Sequence, residues 1–129
     1  IYLKAVKEVV APIIRQYMPQ FILVSAGLDG HYTDSVANFS LSAVCYQKLY
    51  DILMNLASEM CDGKLVSVLE GGYSLKFVGK IAAAVIAKMS GTRYTLDDKV
   101  RATSERARRQ GEKIIEGVKE VQRVFWNID

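Results

Sequence analysis

Apolar residues recur at Val6, Val9, Val10, Ile13 and Ile14, with Lys4, Lys7 and Arg15 between and around them. That stripe has a helical period and predicts an amphipathic helix over residues 2–17. Pro12 lies inside it; a proline lacks the N–H and crowds the preceding turn, which predicts a kink or an early end. The period then changes. Phe21 to Gly27 is an unbroken apolar run closed by small residues, the mark of a buried strand. Gly30 to Asn38 is polar, has no period and reads as a loop. Ser40 or Ser42 can cap the next helix, with inward positions at Leu41, Val44, Cys45, Leu49, Ile52, Leu53 and Leu56. Asp62-Gly63 stops it, and a second apolar strand begins at Lys64 and runs to the glycine pair Gly71-Gly72. Ser74 is placed to cap a third helix, Leu75 to Met89, in which Ala82-Ala83-Ala84 permits close packing and which Ser90-Gly91 ends. Leu96 to about Trp126 reads as one long last helix. Its predicted apolar stripe is Val100, Thr103, Ala107, Ile114, Val118, Val121 and Phe125, with Gly111 as a weak point.

Strand, helix and strand joined by a crossover of this length make a βαβ unit with parallel strands, so the chain is of the α/β class. At 129 residues it is one domain or part of one. Half the residues are hydrophobic and 24% are charged, which suits an ordinary globular core. The net charge of +3 is too mild to argue for nucleic acid or an anionic membrane. Arg106, Arg108, Arg109 and Lys113 are interleaved with Glu105, Glu112 and Glu116, the pattern of a solvated helix face with i,i+4 pairs. No aromatic residues are interleaved for base stacking, and no nucleic-acid partner is expected. No apolar run reaches the roughly 18 residues of a membrane span, so no membrane partner is expected either. Cys45 and Cys61 have no metal or redox spacing and read as reduced thiols of a cytoplasmic protein. Asn38-Phe39-Ser40 fits the glycosylation sequon by chance alone.

Chemistry gathers at the strand ends. In parallel α/β sheets, ligands bind beyond the carboxyl ends of the strands. The first strand ends at Asp29, followed by His31 and Asp34; the second ends at Glu70, Gly71, Gly72 and Tyr73. Adjacent strands lie about 4.8 Å apart, so these groups can converge on one rim. A carboxylate can ligate a metal and a phenol can donate to an oxyanion. A carboxylate at a strand end is, however, ordinarily a helix cap or loop anchor.

Two segments sharpen the choice. Residues 21–41, FILVSAGLDGHYTDSVANFSL, resemble the metal-site segment of the histone deacetylase superfamily, which includes acetoin-utilisation and acetylpolyamine deacetylases. The shared pattern is an apolar strand, S-A-G-(F/L)-D, a second aspartate five residues on, and a helix start at Leu41-Ser42. Residues 65–75, LVSVLEGGYSL, are similar to the L-E-G-G-Y-(N/S)-L segment of the same family, and Val121 to Trp126 to its closing helix. The resemblance implies the arginase-deacetylase fold, three α/β/α layers on a mainly parallel sheet, of which residues 1–129 would be a C-terminal part with two strands and about four helices. It implies Asp29 as one of three protein ligands to a catalytic Zn²⁺, and Tyr73 as the hydrogen-bond donor to the oxyanion formed when acetamide is hydrolysed. It implies Gly71 and Gly72 as walls of the channel for an acetylated lysine or acetylated amine, with Val36 near its mouth. His31 would take a rim position, or touch a ligand rather than the metal, and Asp34 would fix the loop. Glu70 would be a structural hydrogen-bond partner.

The family pattern also calls for a pair of adjacent histidines and a D-x-H motif. The chain has one histidine and cannot supply them. It opens on Ile1 rather than Met. The expectation is therefore the C-terminal portion of a deacetylase, inactive alone, which self-associates through uncovered sheet or needs the missing N-terminal portion. The competing reading is a non-catalytic, self-associating α/β module.

Overall fold

The computed structural model describes residues 1–129. Helix α1 (Tyr2–Ala5) passes through a π-helical turn at Val6–Val10 into α2 (Ala11–Tyr17). Pro12 does not end this stretch. It sits in the first turn of α2, where a missing N–H is tolerated, and the wider π-turn lies where its ring would crowd the carbonyl four residues back. Met18, in the left-handed conformation at φ 53°, closes α2.

Strands β1 (Ile22–Gly27) and β2 (Leu65–Gly71) pair in parallel, with α3 (Ala43–Cys61) as the crossover between them. Ser42 caps α3 by accepting the Cys45 N–H at 3.3 Å, and Asp62 and Gly63, both at positive φ, turn the chain back toward β2. The buried face of α3 is rotated from the expected one: Ala43, Tyr46, Tyr50, Leu53, Leu56, Ala57 and Cys61 face inward, while Val44 and Leu49 are half-buried. The two tyrosines go inside because each hydroxyl finds a partner there. Tyr46 donates to the Gly27 carbonyl at 3.3 Å, and the Tyr50 hydroxyl pairs with the Ser67 hydroxyl.

The third helix, α4 (Val78–Met89), starts later than Ser74 predicts. The Ser74 carbonyl, not its side chain, receives the Phe77 and Val78 N–H groups at 2.9 and 2.8 Å. Ile81, Ala84 and Val85 of α4 pack on α3, and the Lys88–Asp51 ion pair at 2.8 Å joins the two helices. Leu28, Ala43, Tyr46, Tyr50, Ile81 and Val85 form one core cluster. Ala11, Ile22, Leu56, Ala57 and Cys61 form a second between α2, β1 and α3. A fully buried Ile81 or Leu56 contributes about 1.5–3 kcal/mol to holding these layers together.

The last helix differs most from expectation. Residues 92–104 have no regular structure, and α5 (Glu105–Gln122) begins only at Ser104, whose side chain accepts the Ala107 N–H at 3.2 Å. Gly111 does not weaken it: a Cβ there would lie 2.5 Å from Ile1, so the glycine is the notch that receives Ile1. Ile115 and Lys119 are the buried positions of α5, whereas Ile114, Val118, Val121 and Phe125 are exposed. The side that packs is set by the first helical stretch. Lys119 reaches Glu8 at 3.7 Å, Lys4 reaches Glu112 at 3.4 Å, and the Gln16 amide exchanges two hydrogen bonds of 2.8 Å with the Asn127 backbone.

Of the three layers that the resemblance implies, the chain supplies the sheet and one layer of helices. Ile22, Val24 and Leu65 pack against α2 and α3. The opposite face is open, with Leu23 74% and Val68 52% exposed. No helix is long and apolar enough to cross a membrane.

Candidate active site

The carboxyl ends of β1 and β2 lie side by side. Their register runs Ala26 to Leu69 and then Gly27 to Gly71, so Glu70 is an extra residue, a bulge that re-aims the chain just before the glycine pair. Glu70 accepts a hydrogen bond from Ser25 at 2.9 Å and is held on the open sheet face. Directly beyond Gly27, the partly buried Asp29 carboxylate lies over both strand ends. A Cβ at Gly27 or Gly71 would sit 2.6 or 2.8 Å from its Oδ1. Two glycines facing each other across the ladder thus make the cradle for this carboxylate. No ion pair and no side-chain hydrogen bond within the chain engages it, which leaves its oxygens available. Its charge, together with burial as the larger cause, pushes the neighbouring Tyr46 phenol well above its ordinary pKa.

Gly72 carries β2 into the next turn at φ 139°, a conformation that favours glycine, and a Cβ there would meet Val78 at 2.7 Å and Leu28 at 3.1 Å. Tyr73 follows, 59% exposed. Its position is held through the backbone. Asp34 Oδ2 accepts the N–H groups of Tyr73 and Ser74 at 2.6 and 2.9 Å, and Oδ1 accepts that of Val36 at 3.0 Å. These bonds, that of Val36 foremost, outweigh burial and hold the Asp34 carboxyl below the usual range. Asp34 thus ties the loop after β1 to the turn after β2. Val36 stands exposed on that loop.

His31 is not on the rim. It is fully buried, stacked on Phe77 with ring centroids 4.9 Å apart, and both its ring nitrogens are engaged. Nδ1 meets the Thr33 hydroxyl at 2.8 Å, and Nε2 meets Asp98 Oδ2 at 3.3 Å. Asp98 also accepts the Ala43 N–H at 2.6 Å and the Tyr32 hydroxyl at 2.8 Å. Burial pushes the Asp98 carboxyl up, but the donors from Ala43, Tyr32 and His31 outweigh it and leave it below its ordinary value. The same bond from the other side raises the Tyr32 phenol. Asp98 and Thr33 are the residues that sequence reasoning missed, and Ser74, expected as a helix cap, pairs instead with the Thr33 hydroxyl at 2.8 Å. Asp98 lies where the sequence pattern predicts the start of the last helix and the chain has no regular structure, 67 residues from its histidine, and no local signal marks it as an anchor.

No group of three His, Cys, Asp or Glu side chains is arranged to hold a metal. His31 has no free nitrogen, so Asp29 is the single available ligand, and a catalytic zinc takes three from protein. The residues of this chain alone do not make a zinc site. Cys45 and Cys61 are free thiols, and burial pushes that of Cys45 up.

A parallel βαβ pair that offers a carboxylate and a phenol beyond its strand ends, over a glycine cradle, belongs to the α/β proteins with strand-end sites. The histone deacetylase domain family matches residues 1–89, and the chain belongs to that family. A probable deacetylase of Archaeoglobus fulgidus is 37% identical over 91 residues, which cover 70% of this chain and 25% of that protein. A histone deacetylase-like amidohydrolase of Pseudomonas aeruginosa is 32% identical over 100 residues, 78% of this chain and 26% of its own length. The chain therefore spans about a quarter of the length of these curated relatives. Among solved structures, the HDA15 HD domain superposes with a TM-score of 0.77 at 29% identity, covering 97% of this chain and 32% of that one. The histone deacetylase Clr3 does so with 0.79 at 28% identity, covering 98% and 20%.

Proposed function

We propose that this chain contributes one side of the reaction centre of a zinc-dependent deacetylase that hydrolyses acetamides of lysine or of polyamine-like amines. The observation that carries the reading is the unengaged Asp29 carboxylate, cradled by Gly27 and Gly71, beside a turn that presents the exposed Tyr73. Asp29 would serve as one zinc ligand, the others coming from outside this chain; bound zinc would supply an activated water and a polarised carbonyl. Tyr73 would donate its phenolic proton in a hydrogen bond to the oxyanion as the acetamide carbon becomes tetrahedral. The backbone at Gly71 and Gly72 and the side chain of Val36 would border the acyl-amine channel. On this reading the chain by itself is inactive, and its free thiols suit a reducing compartment such as the cytoplasm.

The test joins this chain to the upstream portion of a deacetylase and measures hydrolysis of an acetyl-lysine reporter. Asp29→Ala and Tyr73→Phe are each expected to remove most of the activity, with a loss of about 10²–10³-fold for one oxyanion donor. Full activity in either variant would sink the assigned role.

The open sheet face supports a second reading. Leu23, Val66 and Val68 form an exposed apolar strip on an uncovered two-stranded sheet, a surface that favours association between copies of the chain. Size-exclusion chromatography decides it: a monomer with a cooperative melt argues against self-association, a dimer for it.

A further inference from the structure

We infer that Asp98 and His31 are positioning residues that fix the Tyr73–Ser74 turn through a directed chain of hydrogen bonds. The use of the turn in catalysis rests on the deacetylase reading; the chain of bonds does not. Its direction follows from one contact. The Thr33 backbone N–H, which can only donate, points at His31 Nδ1 at 3.4 Å. Nδ1 is therefore the unprotonated nitrogen, and the ring proton is on Nε2, which faces the acceptor-only carboxylate of Asp98 at 3.3 Å. With Nδ1 as acceptor, the Thr33 hydroxyl donates to it at 2.8 Å, and the Thr33 oxygen then accepts the Ser74 hydroxyl at 2.8 Å. The order is Ser74 to Thr33 to His31 to Asp98. Reversing the histidine tautomer would set a proton on Nδ1 against the Thr33 N–H, leave Nε2 facing Asp98 without one, and break the order at two points.

The far anchor is well fixed. The Asp98 side chain is wholly buried and also holds the Ala43 N–H at the start of α3 and the Tyr32 hydroxyl. Arg101, three residues further along the same segment, lies over the Tyr32 ring at 4.7 Å. Asp98 and Arg101, which lie past residues 1–89 matched to the histone deacetylase domain family, thus act on the loop after β1 through His31 and Tyr32. Asp34 ties the turn by its backbone amides, and this chain of bonds ties it by the Ser74 side chain.

The experiment is run on the chain itself and needs no activity. Its one histidine gives a single pair of imidazole nitrogens in an ¹⁵N spectrum at fixed pH. An unprotonated Nδ1 and a protonated Nε2 are expected. Thr33→Val cuts the chain of bonds at an exposed site away from the α3 cap. It is expected to raise amide exchange at Tyr73 and Ser74 by about tenfold, the factor for one lost hydrogen bond, and to leave β1 and β2 as protected as before. Asp98→Ala should do the same and also scramble the tautomer. Asp98→Asn should restore both, since its amide oxygen can face His31 while the Tyr32 hydroxyl turns to accept. Should Asp98→Ala fail to fold, the Thr33→Val and Asp98→Asn arms decide. A protonated Nδ1 in the parent chain, or unchanged exchange at Tyr73 and Ser74 in Thr33→Val, overturns the inference. Loss of the deacetylase reading shows separately, as activity that survives Tyr73→Phe.

Discussion

Replacing Gly72 by alanine should unfold a large part of this chain's stability. Two independent penalties meet at that position. The backbone stands at φ 139°, which an L side chain rarely adopts and which carries about 1–3 kcal/mol of strain. The new Cβ would also lie 2.7 Å from a methyl of Val78 and 3.1 Å from Leu28 Cβ. Both neighbours are packed against or within the α3–α4 core cluster and have little room to retreat, which adds about 1–3 kcal/mol of overpacking. The sum, roughly 2–6 kcal/mol, compares with a typical domain stability of about 5–15 kcal/mol. Gly63→Ala separates the two contributions. Gly63 has φ 75° but nothing within 4 Å of its would-be Cβ, so only the left-handed cost of about 1–2 kcal/mol applies. Urea unfolding read by circular dichroism, with the slope unchanged, gives both numbers from the midpoints. If Gly72→Ala loses no more than Gly63→Ala, the close approach of Leu28 and Val78 to the turn is not what holds it.

Gly117 lies inside α5 with open space around it, so Gly117→Ala should stabilise by about 0.5–1 kcal/mol and raise the urea midpoint. Asp34 and Asp98 titrate below their ordinary values in the folded chain, so folding favours their ionised forms. Their contribution is present in full above the unfolded carboxylate value of about 3.9 and is lost as pH falls from there through the folded values. Urea midpoints measured from pH 6 downward should drop in that window, and Asp34→Asn should flatten part of the drop. A drop of the same size in Asp34→Asn would exclude that carboxylate as a source.

The parts of the fold written in local patterns were legible. The apolar runs at 22–27 and 65–71 pair in parallel around the expected crossover, and the segments around Asp29 and Tyr73 sufficed for the family. Orientation was harder to read. The inward face of α3 turned on Tyr46 and Tyr50, whose hydroxyls look polar in sequence and are satisfied only by Gly27 and Ser67 in three dimensions. In α5 and the turn after it, the apolar positions from Ile114 to Phe125 face solvent, because the Lys119–Glu8 and Lys4–Glu112 ion pairs and the Ile1 notch at Gly111 select the other side. At the site, the strand ends could be placed from sequence because the chain runs continuously into them. Asp98 could not, since a buried carboxylate that anchors a distant loop has no spacing rule.

The contacts between the first helical stretch and residues 111–127 bear on how this chain is made. Ile1 seats in the Gly111 notch, Lys119 reaches Glu8, and Gln16 is paired with Asn127, so this helical stretch depends on residues synthesised more than a hundred positions later. During translation the helical stretch 2–17 can rest on α3 once that helix has emerged, but the side that receives α5 stays bare through everything that follows. The nascent chain therefore passes through a stage in which its α3–α4 core is complete and the helical stretch 2–17 is half clothed. Such a stage is a target for chaperones and proteases, and its length is set by the rate of elongation from β2 to α5.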